Sequence, residues 1–503
     1  MKKILINKDT WQTRVAILNN GKLQDIYFDT HNKEDLDRCF FKGRVSKVLP
    51  GIQTAFVDIG QTKAGFLHIS EVDRALATEK ITELLTTDDT REEVSKREIK
   101  ASMDIGKIFT EGEDILVQVI KEPIHEKGAK LSTCFTLPGK FLVLMPNIPQ
   151  LGVSKKIESR EERARLRDLV TQNLPPGMGA IIRTTAEDRP EKDIRKDLAF
   201  LISAWNSIVK KFKKAKPYEN IHRDLALSIR VVRDHLDDDI EVVISDNQSE
   251  LDSIHKFVKH FTPEHANKLR FYSGPPPLFE RFDVDEQIDK ALQKKVFLKS
   301  GGSLIIETTE AMTVIDVNTG KFTGTGSMED TILKTNLEAA DEIVTQLRLR
   351  NIGGLIVIDF IDMANASNRH KLSRVLEKTL KERDKYQSVA LRISEFGLVQ
   401  MTRKRSGKNL LQQLTHTCST CDGLGFVKSI PSISFQVLRN FKTSVMEKKL
   451  TGSIILSVSP KVFEYLIHQE YQSILQLEKA LGCKAVIESN ENFNDTQFSV
   501  SKM

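Results

Sequence analysis

Gly353-Gly354-Leu355-Ile356-Val357-Ile358-Asp359-Phe360-Ile361-Asp362-Met363 is a glycine turn followed by an apolar, β-branched run that reaches an acid. Upstream, Met312-Thr313-Val314-Ile315-Asp316-Val317-Asn318 has the same form. Each run is expected to be a strand buried on both faces, with a carboxylate at its C-terminal end. Between them, Glu329 to Arg350 places Ile332, Leu333, Leu337, Ala340, Val344 and Leu347 at helical spacing, and Asn351 with Gly353-Gly354 supplies the stop. A strand–helix–strand crossover makes its two strands parallel, so Asp316 and Asp359 should fall on one sheet edge. Neighbouring strands lie about 4.8 Å apart, close enough for two carboxylates to hold one cation. Such a pair repels unless a cation or a shared proton neutralises it, and oxygen ligation with room for water suits Mg²⁺ or Mn²⁺. An ion held there can polarise a phosphodiester and activate the attacking water. In the competing reading, each Asp is a strand-end residue that accepts backbone hydrogen bonds. Two at corresponding positions, with Asn318 beside the first, favour the site. Asp362 is near enough in sequence to be a third ligand.

The chain has 503 residues, which suggests three or four folding units at roughly 150 residues each. Hydrophobic residues at 40% and charged residues at 29% fit a globular protein with sizeable cores. No apolar run reaches membrane-spanning length. The opening Met1-Lys2-Lys3-Ile4-Leu5-Ile6 imitates a signal peptide until Asn7-Lys8-Asp9-Thr10 interrupts it, so a cytoplasmic location is expected. A net charge of +6 is only a weak argument for a polyanionic partner. Five scattered cysteines argue against a disulfide framework.

Residues 3–7 and 12–28 read as a strand and a hairpin that turns at Asn19-Asn20-Gly21. From Phe41, short strands with glycine turns (43–48, 54–58, 64–67 and 115–121) suggest a small barrel, interrupted by a charged insertion near 73–103. Residues 159–174 and 197–212 read as amphipathic helices, with a strand at 180–184. Gly274-Pro275-Pro276-Pro277 reads as a boundary. A helix at 368–383 and strands near 387–393 and 397–402 follow the second acidic run, and 427–503 mixes strand and helix without a chemical motif.

Cys418-Ser419-Thr420-Cys421, followed by Asp422-Gly423-Leu424-Gly425, has the form of half a zinc knuckle. His416, Cys483 or the same pair from a second subunit could complete it, the last linking a dimer about a twofold axis. The glycines make a poor helix start, which weighs against a redox role; two idle thiols are the bland alternative. On the barrel, Phe56 and Phe66 could stack single-stranded bases while Lys63, Lys121, Lys127 and Lys130 meet phosphates. A place in the barrel core would explain the two rings equally well. Arg403-Lys404-Arg405 reads as a solvated charge run, and Arg183-Thr184 as a fork and a hydroxyl suited to a terminal phosphate.

Together these residues resemble the ribonuclease E/G family over nearly the whole chain. The resemblance is carried by the eleven-residue run 353–363, Phe41-Lys42-Gly43-Arg44-Val45, Ala55-Phe56-Val57-Asp58, Asn336-Leu337-Glu338-Ala339-Ala340, Gln346-Leu347-Arg348-Leu349-Arg350 and the Cys-x-x-Cys loop. It implies a multidomain α/β (α+β) architecture. An RNase H-like domain (1–38 and 228–291) would receive an S1-type OB barrel (39–131) and a 5′-phosphate sensor (132–227). A DNase I-like catalytic domain (292–411), a zinc-link (412–426) and a small dimerisation domain (427–503) would follow. It implies catalytic Mg²⁺ on Asp316 and Asp359 with Asn318 in support, and structural Zn²⁺ on Cys418 and Cys421 shared between two subunits. Phe56, Phe66 and Lys127 match RNA-contacting positions, and Gly139, Val143, Arg183 and Thr184 match the 5′-monophosphate site. Lys155-Lys156 replaces an arginine pair beside that site, and Gln387 stands where an arginine is expected; lysine cannot reproduce the bidentate fork.

The implied activity is Mg²⁺-dependent endonucleolytic cleavage of single-stranded A/U-rich RNA, stimulated by a 5′-monophosphate. Its expected place is ribosomal RNA 5′-end maturation and mRNA decay, with precursor ribosomal RNA and mRNA as partners and a homodimer as the assembly. Met401-Thr402-Arg403-Lys404-Arg405 agrees with the shorter branch of the family, which lacks a long disordered tail. A non-catalytic RNA-binding protein and a thiol redox protein are the rival classes.

Overall fold

In a computed structural model of the chain, the described residues are all except 32–34, 74–76, 78–103, 124–127, 320–327 and 405–406. Most of the charged insertion, Lys127 and Arg405 therefore lie outside them. The chain divides into two compact units, Met1–Gln413 and Leu414–Met503. Among the described residues, no helix is long and apolar enough to cross a membrane.

The N-terminal hairpin forms as expected, with strands Lys2–Lys8, Gln12–Asn19 and Lys22–Thr30. Strand Ile240–Ser245 then adds to Lys2–Lys8 in parallel register, Ile4 opposite Val243, and Leu269–Phe271 completes a five-stranded sheet. Helices Leu227–His235 and Gln248–Phe261 bury Ile4, Ile6, Val15 and Ile17 on one face. Leu5, Ala16 and Leu18 on the other face pack with Leu278, Phe279 and Ile288. The Gly-Pro-Pro-Pro run is thus a connector inside the first unit, with the Tyr272 hydroxyl donating to the Pro276 carbonyl at 2.6 Å.

The barrel is closed. Strand Phe40–Leu49 pairs on one side with Thr54–Asp58 and on the other with Asp114–Lys121. Gly65–His68 and Lys130–Ser132 complete the ring, and Asn220–His222 adds an outer strand. Beside it, Leu137–Pro138, Leu142–Met145, Leu151–Val153 and Gly179–Ile182 form a four-stranded sheet covered by helices Arg160–Asn173 and Glu191–Phe212. The second helix starts six residues before the expected 197. Asp197, the expected first residue, is fully buried in mid-helix and accepts the N–H groups of Lys140, Phe141 and Leu142.

The acid-bearing strands sit in a six-stranded sheet ordered Lys295–Phe297, Ser303–Thr308, Met312–Asn318, Gly354–Asp359, Leu398–Arg403, Ser388–Ala390. The crossover helix runs Met328–Leu349, Asn351 sits at φ 51° after it, and a second helix spans Ala366–Arg383. Both helices pack on one face, over Ile315, Val317, Ile356 and Ile358. The expectation that these strands are buried on both faces is corrected here. Val314 and Val357 are only half-buried and Leu355 is exposed, because a single parallel crossover in an otherwise antiparallel sheet places helices on one side only.

The second unit holds a sheet ordered Cys483–Ser489, Gly452–Val458, Phe498–Lys502, the first two parallel. Helices Ile430–Glu447, Pro460–Gln469 and Tyr471–Leu481 enclose a core around Val437, Phe441, Ile454, Leu456 and Val462.

A buried ionic clamp ties the N-terminal sheet to the crossover helix. Asp25, 3% exposed, accepts from Arg348 Nε at 2.9 Å, and Lys385 Nζ stands 3.4 Å from the same carboxylate. Burial pushes the Asp25 carboxyl up, but Lys385 and Arg348 outweigh it and hold the group at about 2. Removing one partner of such a pair strands a charge in the interior, at a cost of about 3–5 kcal/mol. Asp25→Asn is therefore expected to lower Tm clearly at pH 7, as followed by circular dichroism. A depressed carboxylate contributes its full stability above the unfolded value of about 3.9 and loses it as pH falls toward the folded value. The difference in Tm should stay constant from pH 7 to about 5 and narrow below about 4.

Candidate active site

The parallel ladder between the two acidic strands pairs Ile315 with Ile358 and Asp316 with Asp359. The crossover thus brings the acids to one register position. Strand alternation turns both to the face opposite helices Met328–Leu349 and Ala366–Arg383, with Asp359 exposed and Asp316 half-buried. Asn318, two residues on and on the same face, donates Nδ2 to Asp316 Oδ2 at 2.7 Å, fixing that carboxylate and leaving its other oxygen without a hydrogen bond among the described residues. Burial, then the charges of Asp316 and Asp362, push the Asp359 carboxyl up. A divalent cation would relieve this repulsion, and the donor set is all oxygen, which fits a hard ion with open water positions. Among the described residues, no group of three or more His, Cys, Asp or Glu is placed to hold a metal.

Three side chains hold this edge in place. Asn336, wholly buried on the crossover helix, donates Nδ2 to the Ile361 carbonyl at 2.8 Å and accepts the Ile361 N–H at 3.1 Å. It clamps the backbone between Asp359 and Asp362. Glu338 accepts the N–H groups of Lys299 at 2.6 Å and Ser300 at 2.9 Å, setting the loop that leads into the strand beside Asn318. Glu329 accepts from Asn365 N and Asn368 Nδ2, both at 3.1 Å. The site residues named from the sequence did not include these. A signal existed for one of them: Asn336 lies four residues from both Ile332 and Ala340, a polar residue in the middle of an apolar stripe.

On the barrel, Phe56 and Phe66 are direct cross-strand partners. Their neighbours Ala55, Val57, Gly65 and Leu67 fill the interior, so both rings point outward and half-exposed, which rules out the core position. Lys130 is engaged with Glu71 at 2.5 Å.

In the neighbouring sheet, Arg183 Nη1 donates to the Gly139 carbonyl and to Asp234, each at 2.7 Å. The exposed Thr184 hydroxyl meets Ser154 Oγ at 3.1 Å, and Val143 pairs with Ile181 on the adjacent strand. Gly139 has its own packing reason, since a Cβ there would lie 2.5 Å from buried Asp197 Oδ2. Lys155 and Lys156 are exposed, and Lys156 Nζ donates to the Asp384 carbonyl at 3.2 Å. The exposed Gln387 uses its carbonyl to accept Lys404 N–H at 2.9 Å. Arg403 departs from the solvated charge run expected of it. Its buried guanidinium grips Asp384 at 2.7 and 2.9 Å, so it is a structural ion pair.

In the second unit, Cys418 is exposed and Cys421 half-buried, both as free thiols. Hydrogen bonds from the backbone of Cys421 and Thr420 hold the Cys418 thiol below its usual range, favouring the thiolate that binds metal. Cys483 is buried in the sheet core, and no third ligand gathers beside the pair among the described residues. Among the described residues, neither His416 nor Cys483 joins the pair in a three-residue metal-binding group.

Residues 136–406 match the ribonuclease E/G family, and residues 417–503 match the thioredoxin-like domain of RNase E/G. The chain belongs to the ribonuclease E/G family, and its class of activity is that of a hydrolytic endoribonuclease. It is 38% identical over 501 residues to ribonuclease G of Salmonella typhimurium (strain SL1344), covering 100% of this chain and 99% of that one. Ribonuclease G of Escherichia coli (strain K12) is 37% identical with the same coverage. Ribonuclease E of Buchnera aphidicola subsp. Schizaphis graminum is 34% identical over 508 residues, where this chain spans 50% of its relative.

Asn336→Leu keeps the helix and the volume but leaves the Ile361 N–H and carbonyl unpaired. Misplacing catalytic groups by an ångström costs up to about a hundredfold, so RNA cleavage should fall roughly ten- to hundredfold. Single-turnover kinetics at saturating enzyme measure this; a variant with the parent rate removes the positioning role.

Proposed function

We propose that this chain is a Mg²⁺-dependent endoribonuclease that cuts single-stranded, A/U-rich RNA and leaves 5′-phosphate products. The observation that carries the proposal is the in-register pairing of Asp316 with Asp359 on an open sheet face, with Asn318 bonded to the first. Asp316 and Asp359 would hold the ion, which supplies Lewis-acid stabilisation of phosphate charge and an activated water. Asn318 keeps the Asp316 carboxylate turned toward it. The clamp at Ile361 keeps Asp359 at a fixed height on the sheet edge.

Paired outward rings at Phe56 and Phe66 suit stacking with an unpaired strand, and Lys127, which in sequence shortly precedes Lys130, the strand partner of Phe66, suits phosphate contact. Arg183, Thr184, Gly139 and Val143 lie on or beside the two central strands of their sheet, with Arg183 bonded to the Gly139 carbonyl, which supports capture of a 5′-monophosphate. Lys156 lies on the Asp384 backbone, so that locality adjoins the catalytic sheet. Family membership suggests ribosomal RNA 5′-end maturation and mRNA decay as the setting.

In Mg²⁺, an unstructured A/U-rich RNA with a 5′-monophosphate should be cut faster than its 5′-hydroxyl twin, and Arg183→Ala should equalise the two. The Asp316→Asn/Asp359→Asn double variant should bind RNA but lose cleavage by about a thousandfold or more. A double variant that cuts like the parent defeats the proposal, as does a parent that binds RNA yet cuts none in Mg²⁺ or Mn²⁺.

The assembly proposed is a homodimer in which Cys418 and Cys421 of each subunit share one Zn²⁺. Support comes from the half-site without a third ligand and from the uncovered apolar sheet face bearing Phe297, Leu355, Val389 and Leu391. Purified protein should contain one zinc per two chains, and Cys418→Ser/Cys421→Ser should lose it and shift toward monomer in light scattering. A zinc-loaded monomer overturns the shared site.

A further inference from the structure

Beside the catalytic edge lies a cleft of about 180 Å³ that none of the roles above uses. Helix Ala366–Arg383 lines one wall with Arg369, His370 and Ser373, and the segment before strand Leu398–Arg403 lines the other with Arg392 and Glu395. Arg369 is anchored by Nη1 alone, which donates to the carbonyls of Met363 and Ala364, the residues that follow Asp362. Its Nε and Nη2 donors make no hydrogen bond among the described residues. Arg392 is exposed, and among the described residues it has neither a hydrogen bond nor an ion pair, even with Glu395 three positions on. The net balance of the walls is cationic. Next to Glu395, Phe396 is 77% exposed and makes no ring contact among the described residues.

The cleft stands at a fixed offset from the acids. Ser394 N donates to Leu398 O at 2.9 Å, Gly397 N to Ser394 O at 3.2 Å, and Leu398 pairs with Asp359 across the ladder. Gly397 takes φ 71°, and a Cβ there would lie 2.5 Å from the Phe360 carbonyl and 3.2 Å from Asp362 Oδ1. The turn is therefore pressed against the end of the catalytic strand. Acids that gather metal, bordered by unpaired guanidinium donors and a bare aromatic ring, match a polyanionic strand whose scissile phosphate sits on the acids.

We propose that the Arg369–Arg392 cleft binds an RNA backbone phosphate flanking the scissile one, with Phe396 stacking a neighbouring base. The proposal rests on the endoribonuclease reading and adds a subsite to it. Two forks converging on one anion give charge-assisted contact without base readout, so the subsite would hold the strand in line independently of sequence. Glu395 on the rim would repel a strand that strays from that line.

The test uses the full chain and a fluorescent single-stranded RNA, measured by anisotropy without divalent metal so that binding is read apart from cleavage. Arg392 is on the surface, so Arg392→Ala should fold normally. It should weaken binding roughly tenfold near 0.1 M salt and flatten the slope of log affinity against log salt by about 0.7, the share of one phosphate contact. Arg392→Lys should restore the slope. Phe396→Ala should weaken binding while leaving the slope unchanged. A scan of single neutral methylphosphonate linkages should find one position that weakens the parent but not Arg392→Ala. Parent-like affinity and slope in Arg392→Ala, or a scan with no such position, overturns the subsite. Cleavage by the parent in Mg²⁺ is scored separately. A parent that shows the expected binding pattern but never cuts RNA defeats the catalytic reading and leaves the subsite standing.

Discussion

Two like charges held at one register position form the constraint around which the catalytic sheet is organised. Asp316 and Asp359 face each other across a parallel ladder, and burial, then the charges of Asp316 and Asp362, raise the Asp359 carboxyl. Repulsion between the two carboxylates acts to part the strand ends. The core beneath opposes this, since Ile315, Ile356 and Ile358 are wholly buried and each contributes about 1.5–3 kcal/mol. Asn336 then pins the chain immediately beyond Asp359, and Glu338 pins the loop on the far side of Asn318. The site is held open by packing on one face so that the other can remain free.

Buried charge serves a second purpose, that of joining parts. Arg348 reaches from the crossover helix to Asp25 in the N-terminal sheet, and the same guanidinium donates Nη1 to the Arg383 carbonyl at 2.6 Å. Arg403 closes on Asp384 from inside the catalytic sheet, donating also to the Ile352 carbonyl. Asp384 in turn offers its carbonyl to Lys156 from the neighbouring sheet. A guanidinium suits these positions because its planar fork meets a carboxylate with two bonds while the remaining donors reach carbonyls. Arg392, which has no ion pair among the described residues, is left at the rim of the acidic edge.

The local pattern of the sequence was enough for the elements that matter most. Apolar runs ending in acids, a helical period between them and a glycine stop specified the crossover, and handed connection then dictated that the acids meet. The barrel strands were legible from glycine turns and alternation, and the adjacent thiols from their spacing. These features are encoded within a few residues of each other, so they need no knowledge of the rest of the chain.

Only the tertiary structure decided what distant neighbours supply. Phe56 and Phe66 could have been core or surface until barrel closure put Ala55, Val57 and Leu67 inside. Arg403 looked solvated because its partner is nineteen positions away, and the helix looked to start at Asp197 because the three N–H groups that this side chain accepts lie more than fifty positions back, in the turn entering strand Leu142–Met145. Most of all, local pattern put Asp316 and Asp359 on a sheet buried from both sides, whereas the fold covers one face alone. A single crossover carries its helices to one side, and the face left bare is where the carboxylates point.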